Sequence, residues 1–445
     1  MPATGNGDIL PRPAPEPPSV VVITKDEEAN IEACLRCLDF TDDVVVLDSG
    51  STDRTTEIAR YFANVSVIHR AFDTEWKQRN HALHGPKFKH PWVYICDADE
   101  RVDRELVDEI LRVTNDPDTT HAAFRLRYRN MFMGRWINHA STYPVWIIRL
   151  VRPERVTYEV RETNIHPIVD GTVGELRGHF THYSFNSGLV RWFQKHNFYS
   201  TREAVEGAKT RAAGRPSLRS LRNPDPMLRS RAAKNLSYFL PGRALWRFAF
   251  AYLLRGGFRD GRPGLHYCLM TAMYEYWIEL KMKEIERGDR ARVAPALARR
   301  MAGTGNNAAI ATPGQTIDAY LEHQIQSADA ASDERLRTGR TRHRLPARPA
   351  WRFFSAFILR GGFLRGRAGY HLARLDAGTE YITGLLHRDK RLRAIGTGPS
   401  PLSPVPRGEA RGIGDCPRAG RGEGPSSNAR PNPQPPTTNP TPQHP

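Results

Sequence analysis

Two carboxylates one residue apart, Asp97 and Asp99, follow the apolar run Trp92 to Cys96 (WVYIC). Carboxylates this close repel unless a cation or hydrogen-bond donors lie between them. A hard divalent ion meets that need, because Mg²⁺ takes one or two carboxylates and completes its shell with substrate phosphates. Such an ion would neutralise a diphosphate leaving group. An isolated D-x-D is equally the makeup of a solvated loop or a helix N-cap, and the position after a buried-strand pattern favours the site. A second cluster, Asp48-Ser49-Gly50-Ser51-Thr52-Asp53, closes the run Asp43 to Leu47 (DVVVL). Gly50 permits close backbone approach, and a following helix N-terminus offers N–H groups. Asp48 there can accept from a nucleobase or ribose hydroxyl; an ordinary capped loop has the same composition. A third polar cluster, Thr24 to Glu28, follows Ser19 to Thr24 (SVVVIT).

The elements that must position these clusters are legible. SVVVIT and DVVVL are continuous β-branched runs, the pattern of strands buried on both faces. Val65 to His69 and WVYIC are two further strands. Ile31, Leu35 and Leu38 recur at helical spacing, a second helix runs through Phe62, and a third begins near Gln78. Strand alternating with helix predicts a parallel α/β sheet with helices on both faces, and ligands bind beyond the carboxyl ends of such strands. All three clusters fall there. Neither a Walker P-loop nor a G-x-G-x-x-G after the first strand is present, which disfavours kinase-type cradles and dinucleotide folds. From Asp103 to about Tyr183 the pattern is mixed and completes the domain. After Phe185 it is helical.

The chain has 445 residues and a net charge of +17. At 39% hydrophobic it can build a core. No apolar run reaches the ~18 residues of a membrane span, and the N-terminus lacks the features of a secretory signal. The five cysteines are unpatterned, which fits a reducing cytosol. LWRFAFAYLLRGGFRDGRPGLHY from Leu245 is repeated as AWRFFSAFILRGGFLRGRAGYHL from Ala350. Trp246 aligns with Trp351, His266 with His371 and Tyr276 with Tyr381. Copy two has Arg365 where copy one has Asp260, so it would pack or bind without reproducing an Asp-dependent role. The expected organisation is a disordered Pro-rich tail (1–18), a catalytic domain (19–185) and a helical region with copy one (186–287). A linker with room for one helix (288–344), copy two (345–395) and a disordered Pro/Gly-rich tail (396–445) follow.

VVITKDEEANIEACL, VVVLDSGSTDRTTEIA, KQRNHAL from Lys77 and ICDADERV together resemble family-two glycosyltransferases of the GT-A fold. HYSFNSGLVRWFQKHNFYS from His182 is similar to the branch that elongates lipopolysaccharide core or exopolysaccharide. The resemblance covers residues 19–285. It implies an inverting transferase using a nucleotide-diphosphate sugar and a lipid-linked or glycan acceptor. Thr24, Glu27 and Asp48 would line the nucleoside pocket, with Lys77 and Arg79 near the diphosphate. Asp97 and Asp99 would hold the sugar nucleotide, through a divalent cation, Mg²⁺ or Mn²⁺. Inversion needs a general base beside the acceptor hydroxyl. Glu162, in a stretch resembling the family's Val-His-Glu, is the candidate, with Asp170 as the alternate. Asp26 stands where the family more often has Asn. His179 and His182, three apart, read as structural histidines, because carboxylates already serve a hard cation.

Trp, Phe and Arg in each repeat suit a membrane interface, so copy one would dock the enzyme on the anionic inner leaflet. The competing reading is a helical hairpin packed on the catalytic domain. This makes the protein cytoplasmic and peripheral to the inner face of the cytoplasmic membrane, with no nucleic-acid partner. Two other classes compete with the transferase. A nucleotidyltransferase would carry a Gly-rich basic signature after the first strand, where Thr24 to Glu28 is acidic. A non-enzymatic membrane-surface adaptor would leave Asp48, Asp97 and Asp99 without purpose.

Overall fold

A computed structural model of the chain describes residues 15–160, 165–224, 226–286, 317–338, 347–359 and 366–394. The expected 396–445 tail lies outside the described residues, as do Glu162 and Arg365. The predicted strands are β1 (Ser19–Thr24), β2 (Val44–Asp48), β3 (Val65–His69) and β4 (Val93–Asp97), in the parallel order β3-β2-β1-β4. β5 (Glu100–Val102), β6 (His121–Phe132), β7 (Arg135–Trp136), β8 (Trp146–Val151) and β11 (Thr172–His182) extend the sheet as β4-β8-β6-β11-β5. There β6 and β11 are parallel and the other neighbours on that path antiparallel. β9 (Val156–Tyr158) and β10 (Pro167–Val169) form a separate ribbon.

The β-branched runs explain the layering. Alternate residues of a strand point to opposite faces, and here both faces are covered. Val20, Val22, Val44 and Val46 pack with Ile31, Leu35, Ala59, Leu106 and Ile110 from α1 (Ile31–Arg36), α2 (Thr55–Ala59) and α4 (Arg104–Thr114). Val21, Val45 and Ile95 pack on the other side with Ala82 and Leu83 of α3 (Glu75–His84) and with Val156 and Tyr158 of β9. This is the α/β sheet the sequence predicts. Its register sets Thr24 beside Asp48 and Ile23 beside Asp97, so the three clusters share one edge.

The helical region comprises α5 (Leu189–Ala212), α6 (Pro226–Ser237), α7 (Arg243–Ala249), α8 (Gly261–Glu286), α9 (Ile317–Arg337), α10 (Ala347–Phe354) and α11 (Gly366–Ala394). α9 falls within the segment expected to be a linker, yet it is part of the core. Leu321, Ile325 and Ala328 are buried with Trp277, Leu280, Leu385 and Leu386. The buried Lys281 ammonium donates to the Asn197 carbonyl, Ser200, Thr201 and Asp318, knotting α5, α8 and α9 together. The one helix that the segment was expected to have room for is present, and its apolar residues, at three- and four-residue spacing, pack it into the core.

The repeat is visible in the structure. Both copies run from an α-helix into a π-helical turn, Phe250–Leu254 after α7 and Ser355–Leu359 after α10. α8 and α11 then pair reciprocally. His266 Nδ1 lies 2.9 Å from the Tyr381 hydroxyl, and His371 Nδ1 lies 2.8 Å from the Tyr276 hydroxyl. Gly378, which aligns with Met273, faces it: a Cβ there would meet the Met273 Cε at 3.6 Å. Equivalent residues exchanging partners across a self-paired centre define an internal two-fold axis. Copy one also packs on the sheet domain, as one of the two expected readings requires. The buried Asp260 carboxylate accepts from the backbone N–H groups of His139 and Ala140 at 2.8 and 2.7 Å and from His139 Nδ1 at 2.8 Å.

Burial, then the charges of Arg388 and Arg262, depress the His266 pKa to about 4. The folded state therefore keeps His266 neutral while the unfolded chain takes up a proton near pH 6.5, so this contribution is lost as pH falls from about 6.5 to 4. Urea unfolding of His266→Gln should show a pH slope shallower in that window, by up to about 1.4 kcal/mol per pH unit. Equal slopes in wild type and variant would contradict the assignment.

Candidate active site

The carboxyl ends of β1, β2 and β4 form the floor of the site. Thr24 is 3% exposed, and its hydroxyl has no hydrogen-bond partner among the described residues. Asp48 is fully buried and accepts from the Gly50 N–H at 3.0 Å, from the Ser51 N–H and hydroxyl, and from His69 Nδ1 at 3.1 Å. Its oxygens hold the β2–α2 turn, where Gly50 takes φ +83°. A nucleoside would thus meet the turn that Asp48 shapes; the carboxylate itself is committed to the protein. Asp26 adopts φ +51°, a left-handed conformation that Asn and Asp tolerate. It accepts from the Thr52 N–H at 2.7 Å, and its own N–H donates to Ser51 at 2.8 Å. The two loops are thereby fastened to each other through Asp26.

At the end of β4 the chemistry is ionic. Arg149 of β8, 2% exposed, lies between Asp97 at 2.7 Å and Glu100, its second ion-pair partner. Arg79 of α3 approaches the other Asp97 oxygen at 3.6 Å. Burial opposes ionisation of Asp97, but Arg149 and then Arg79 outweigh it and hold the carboxyl well below the usual range. Glu100 goes the other way: burial, only partly offset by Arg149, pushes it up to about 7. Asp99 belongs to a different pair. β11 runs antiparallel to β5 with His182 opposite Glu100, which brings His182 Nε2 to 3.1 Å from Asp99 Oδ2. Against the burial of both groups, the pair holds Asp99 low and His182 high. Lys195 of α5 adds positive charge near Asp99 and Glu27; Tyr199 first, then Asp99 and Glu27 against burial, raise its pKa.

The other expected residues divide. Glu27 accepts from Asn30 at 2.8 Å and Ser187 at 3.0 Å and lies 3.6 Å from Arg191, tying the β1–α1 loop to α5. Burial, then the charge of Asp99, raises its pKa. Arg79 is at the site, but Lys77 turns to Asp73 at 3.4 Å. Two residues apart on a helix point to opposite sides, so the structure brings Arg79, but not Lys77, to Asp97. Asp170 is an exposed residue paired with Arg155 at the opposite end of β11 from His182, on the order of 30 Å away along the strand. It cannot share an acceptor with Asp99. His179 and His182 face opposite sides of β11, His179 Nε2 lying 2.7 Å from the Tyr143 hydroxyl. Burial, Arg127 and Arg129 lower the His179 pKa to about 4.

The donor set can be tested against a divalent cation. Among the described residues no cluster of three or more His, Cys, Asp or Glu could hold one alone. Asp99 and His182 offer one carboxylate and one imidazole side by side, while Asp97 is held by two guanidiniums. Such a set fits a cation whose remaining ligands come from donor phosphates and water. The sequence reading passed over Arg149 and Glu100 and assigned His182 a structural role. Arg149 carried a signal, a lone charge inside the apolar strand WIIRLV. Replacing Arg149 with Met strips the buried Glu100 of its guanidinium partner and leaves Asp97 with Arg79 alone, and should cost about 3–5 kcal/mol in urea unfolding. Adding Glu100→Gln should return part of that loss; full stability of the single variant would refute the arrangement.

Residues 19–181 match the family model "Glycosyl transferase family 2". The lipopolysaccharide core biosynthesis glycosyltransferase LpsC of Rhizobium meliloti (strain 1021) is 27% identical over 272 residues, 58% of this chain and 92% of that protein. A glycosyltransferase of Rickettsia typhi is 24% identical over 287 residues, 62% of this chain and 90% of that protein. The crystal structure of S. aureus TarS residues 1–349 is 16% identical, covers 73% of this chain and 92% of that one, and has a TM-score of 0.28. Residues 19–181 thus resemble glycosyl transferase family 2, and over 58% of its length the chain is similar to a glycosyltransferase of lipopolysaccharide core biosynthesis.

Proposed function

We propose that the chain is an inverting glycosyltransferase of cell-envelope synthesis. It moves a hexosyl or heptosyl unit from a nucleotide-diphosphate sugar to a lipid-linked or glycan acceptor of the lipopolysaccharide-core type. It works on the cytoplasmic face of the inner membrane and uses Mg²⁺ or Mn²⁺. The observation that carries this reading is the strand-end set of buried carboxylates, with Asp97 locked to arginines and Asp99 paired with the His182 imidazole.

In this reading Thr24, whose buried hydroxyl lacks a partner, and the loops fastened by Asp48 and Glu27 receive the nucleoside. Arg79 and Lys195 bind phosphate oxygens. Asp99 and His182 would hold the cation, with Asp97 positioning through Arg149 and Arg79. When bound, the cation neutralises the negative charge that gathers on the departing diphosphate. Glu162 takes the proton from the acceptor hydroxyl. The acceptor oxygen bonds to the anomeric carbon as the carbon–phosphate oxygen bond breaks on the opposite face, which inverts the configuration.

A thermal-shift panel of nucleotide-diphosphate sugars, with and without Mg²⁺ or Mn²⁺, tests the donor side. A donor at about 100 times its Kd should stabilise by about 2.7 kcal/mol. That shift should require metal and vanish in Asp99→Ala. Glu162→Gln should keep the donor shift and lose about 10²–10⁴ in kcat. A metal-independent shift, or full activity in either variant, would refute the corresponding role.

A further inference from the structure

The two repeat copies present an apolar surface that the transferase chemistry does not use. In copy one, Leu245, Trp246, Phe250, Leu253 and Leu254 are exposed, Trp246 at 62% and Leu254 at 80%. Trp246, Phe250, Leu253 and Leu254 stand at i, i+4, i+7 and i+8, a single helical stripe. The buried residues of the same helix are Arg243 and Ala244, so the usual amphipathic order is reversed. Arg243 is sealed by Glu275 at 2.5 Å. Copy two repeats the pattern with exposed Trp351, Phe354 and Ile358 at i, i+3 and i+7.

Charge identifies what covers this surface. Between residues 243 and 262 the charged residues are Arg243, Arg247, Arg255, Arg259, Arg262 and Asp260, and Asp260 is buried against His139. Between 347 and 367 they are Arg348, Arg352, Arg360, Arg365 and Arg367, with no acid. Arg247, Arg255, Arg259 and Arg262 in copy one and Arg352 in copy two are all at least partly exposed, and an exposed apolar stripe with such arginines near it is complementary to an anionic bilayer surface. Among the described residues no helix is long and apolar enough to cross a membrane, so such helices would lie in the interface plane. The His266–Tyr381 and His371–Tyr276 pairs supply the second constraint. A two-fold that carried α7 onto α10 as it carries α8 onto α11 would set both stripes at equal height along its axis, where one flat surface would meet both.

We propose that the two repeats form one bivalent docking face for an anionic lipid bilayer, with both aromatic stripes inserted to the same depth. This rests on the peripheral-membrane reading above and specifies the surface and its valency. The second copy turns a single weak interfacial helix into two linked ones, which raises avidity without a new type of contact.

The test is sedimentation of the full chain with phosphatidylcholine vesicles, with or without 30 mol% phosphatidylglycerol, and with no sugar acceptor present. Trp246→Glu/Leu253→Glu and Trp351→Glu/Ile358→Glu should each lower partition to the anionic vesicles at least tenfold, and the four-site variant more than either. The metal-dependent donor shift should persist in all three, which separates a docking failure from a failure of the transferase reading. Should a variant lose its fold, quenching of wild-type tryptophan fluorescence by brominated lipids reads insertion directly. Equal binding to neutral and anionic vesicles, no effect of the copy-two pair, or no quenching would overturn the proposal. So would a lipid-free dimer that dissociates in the variants, because the face would then cover a second copy of the chain.

Discussion

Asp97 and Glu100 lie at the end of a sheet covered on both faces, and Arg149 is the buried cation that makes their charges tolerable there. Removing a carboxylate from water is costly, and a guanidinium that pairs with both returns most of that cost. The consequence reaches past stability. With Asp97 committed to Arg149 and Arg79, its repulsion of Asp99 persists but is outweighed by the cations around the pair. Asp99 pairs with His182 and feels the charge of Lys195. One guanidinium thereby turns two similar aspartates into two groups with different work, one that positions and one that can meet a cation.

The rest of the fold serves that separation. β4 delivers Asp97, β8 delivers Arg149 from the neighbouring antiparallel strand, and β11 carries His182 back across β5 to Asp99. α5 leaves the sheet after β11 and brings Lys195 to the same carboxylates. Its Arg191 donates to the Asp26 and Lys25 carbonyls, fixing the loop that holds Glu27. The helical region is therefore continuous with the site, and Asp260 adds a second tie through the loop at His139.

What could be read from the sequence followed from local rules. SVVVIT, DVVVL and WVYIC are strands because continuous β-branched and aromatic runs have few other solutions, and their ends placed Thr24, Asp48, Asp97 and Asp99 together. What escaped depended on pairing across the chain. Arg149 is 52 residues from Asp97 and His182 is 83 from Asp99, and only sheet register brings them into contact. Lys77 and Arg79 share a motif, but helix rotation gives them different partners, Asp73 and Asp97. Asp170 failed because a carboxylate near Glu162 in sequence lies at the far end of β11. The repeat was legible, but its internal two-fold required the His–Tyr exchange seen between α8 and α11. The packing of α9 into the core was obscured by the polarity around its few apolar positions.

Asp99 and His182, rather than Asp97, are the residues proposed to meet the cation. The most direct measurement is electron paramagnetic resonance of Mn²⁺ titrated into the protein with a nucleoside diphosphate, in wild type and in Asp97→Asn, Asp99→Asn and His182→Gln. The account predicts that bound Mn²⁺ is lost or weakened at least tenfold in Asp99→Asn and His182→Gln. Asp97→Asn should retain the wild-type Mn²⁺ signal. Loss of bound Mn²⁺ in Asp97→Asn, with retention in His182→Gln, would contradict it.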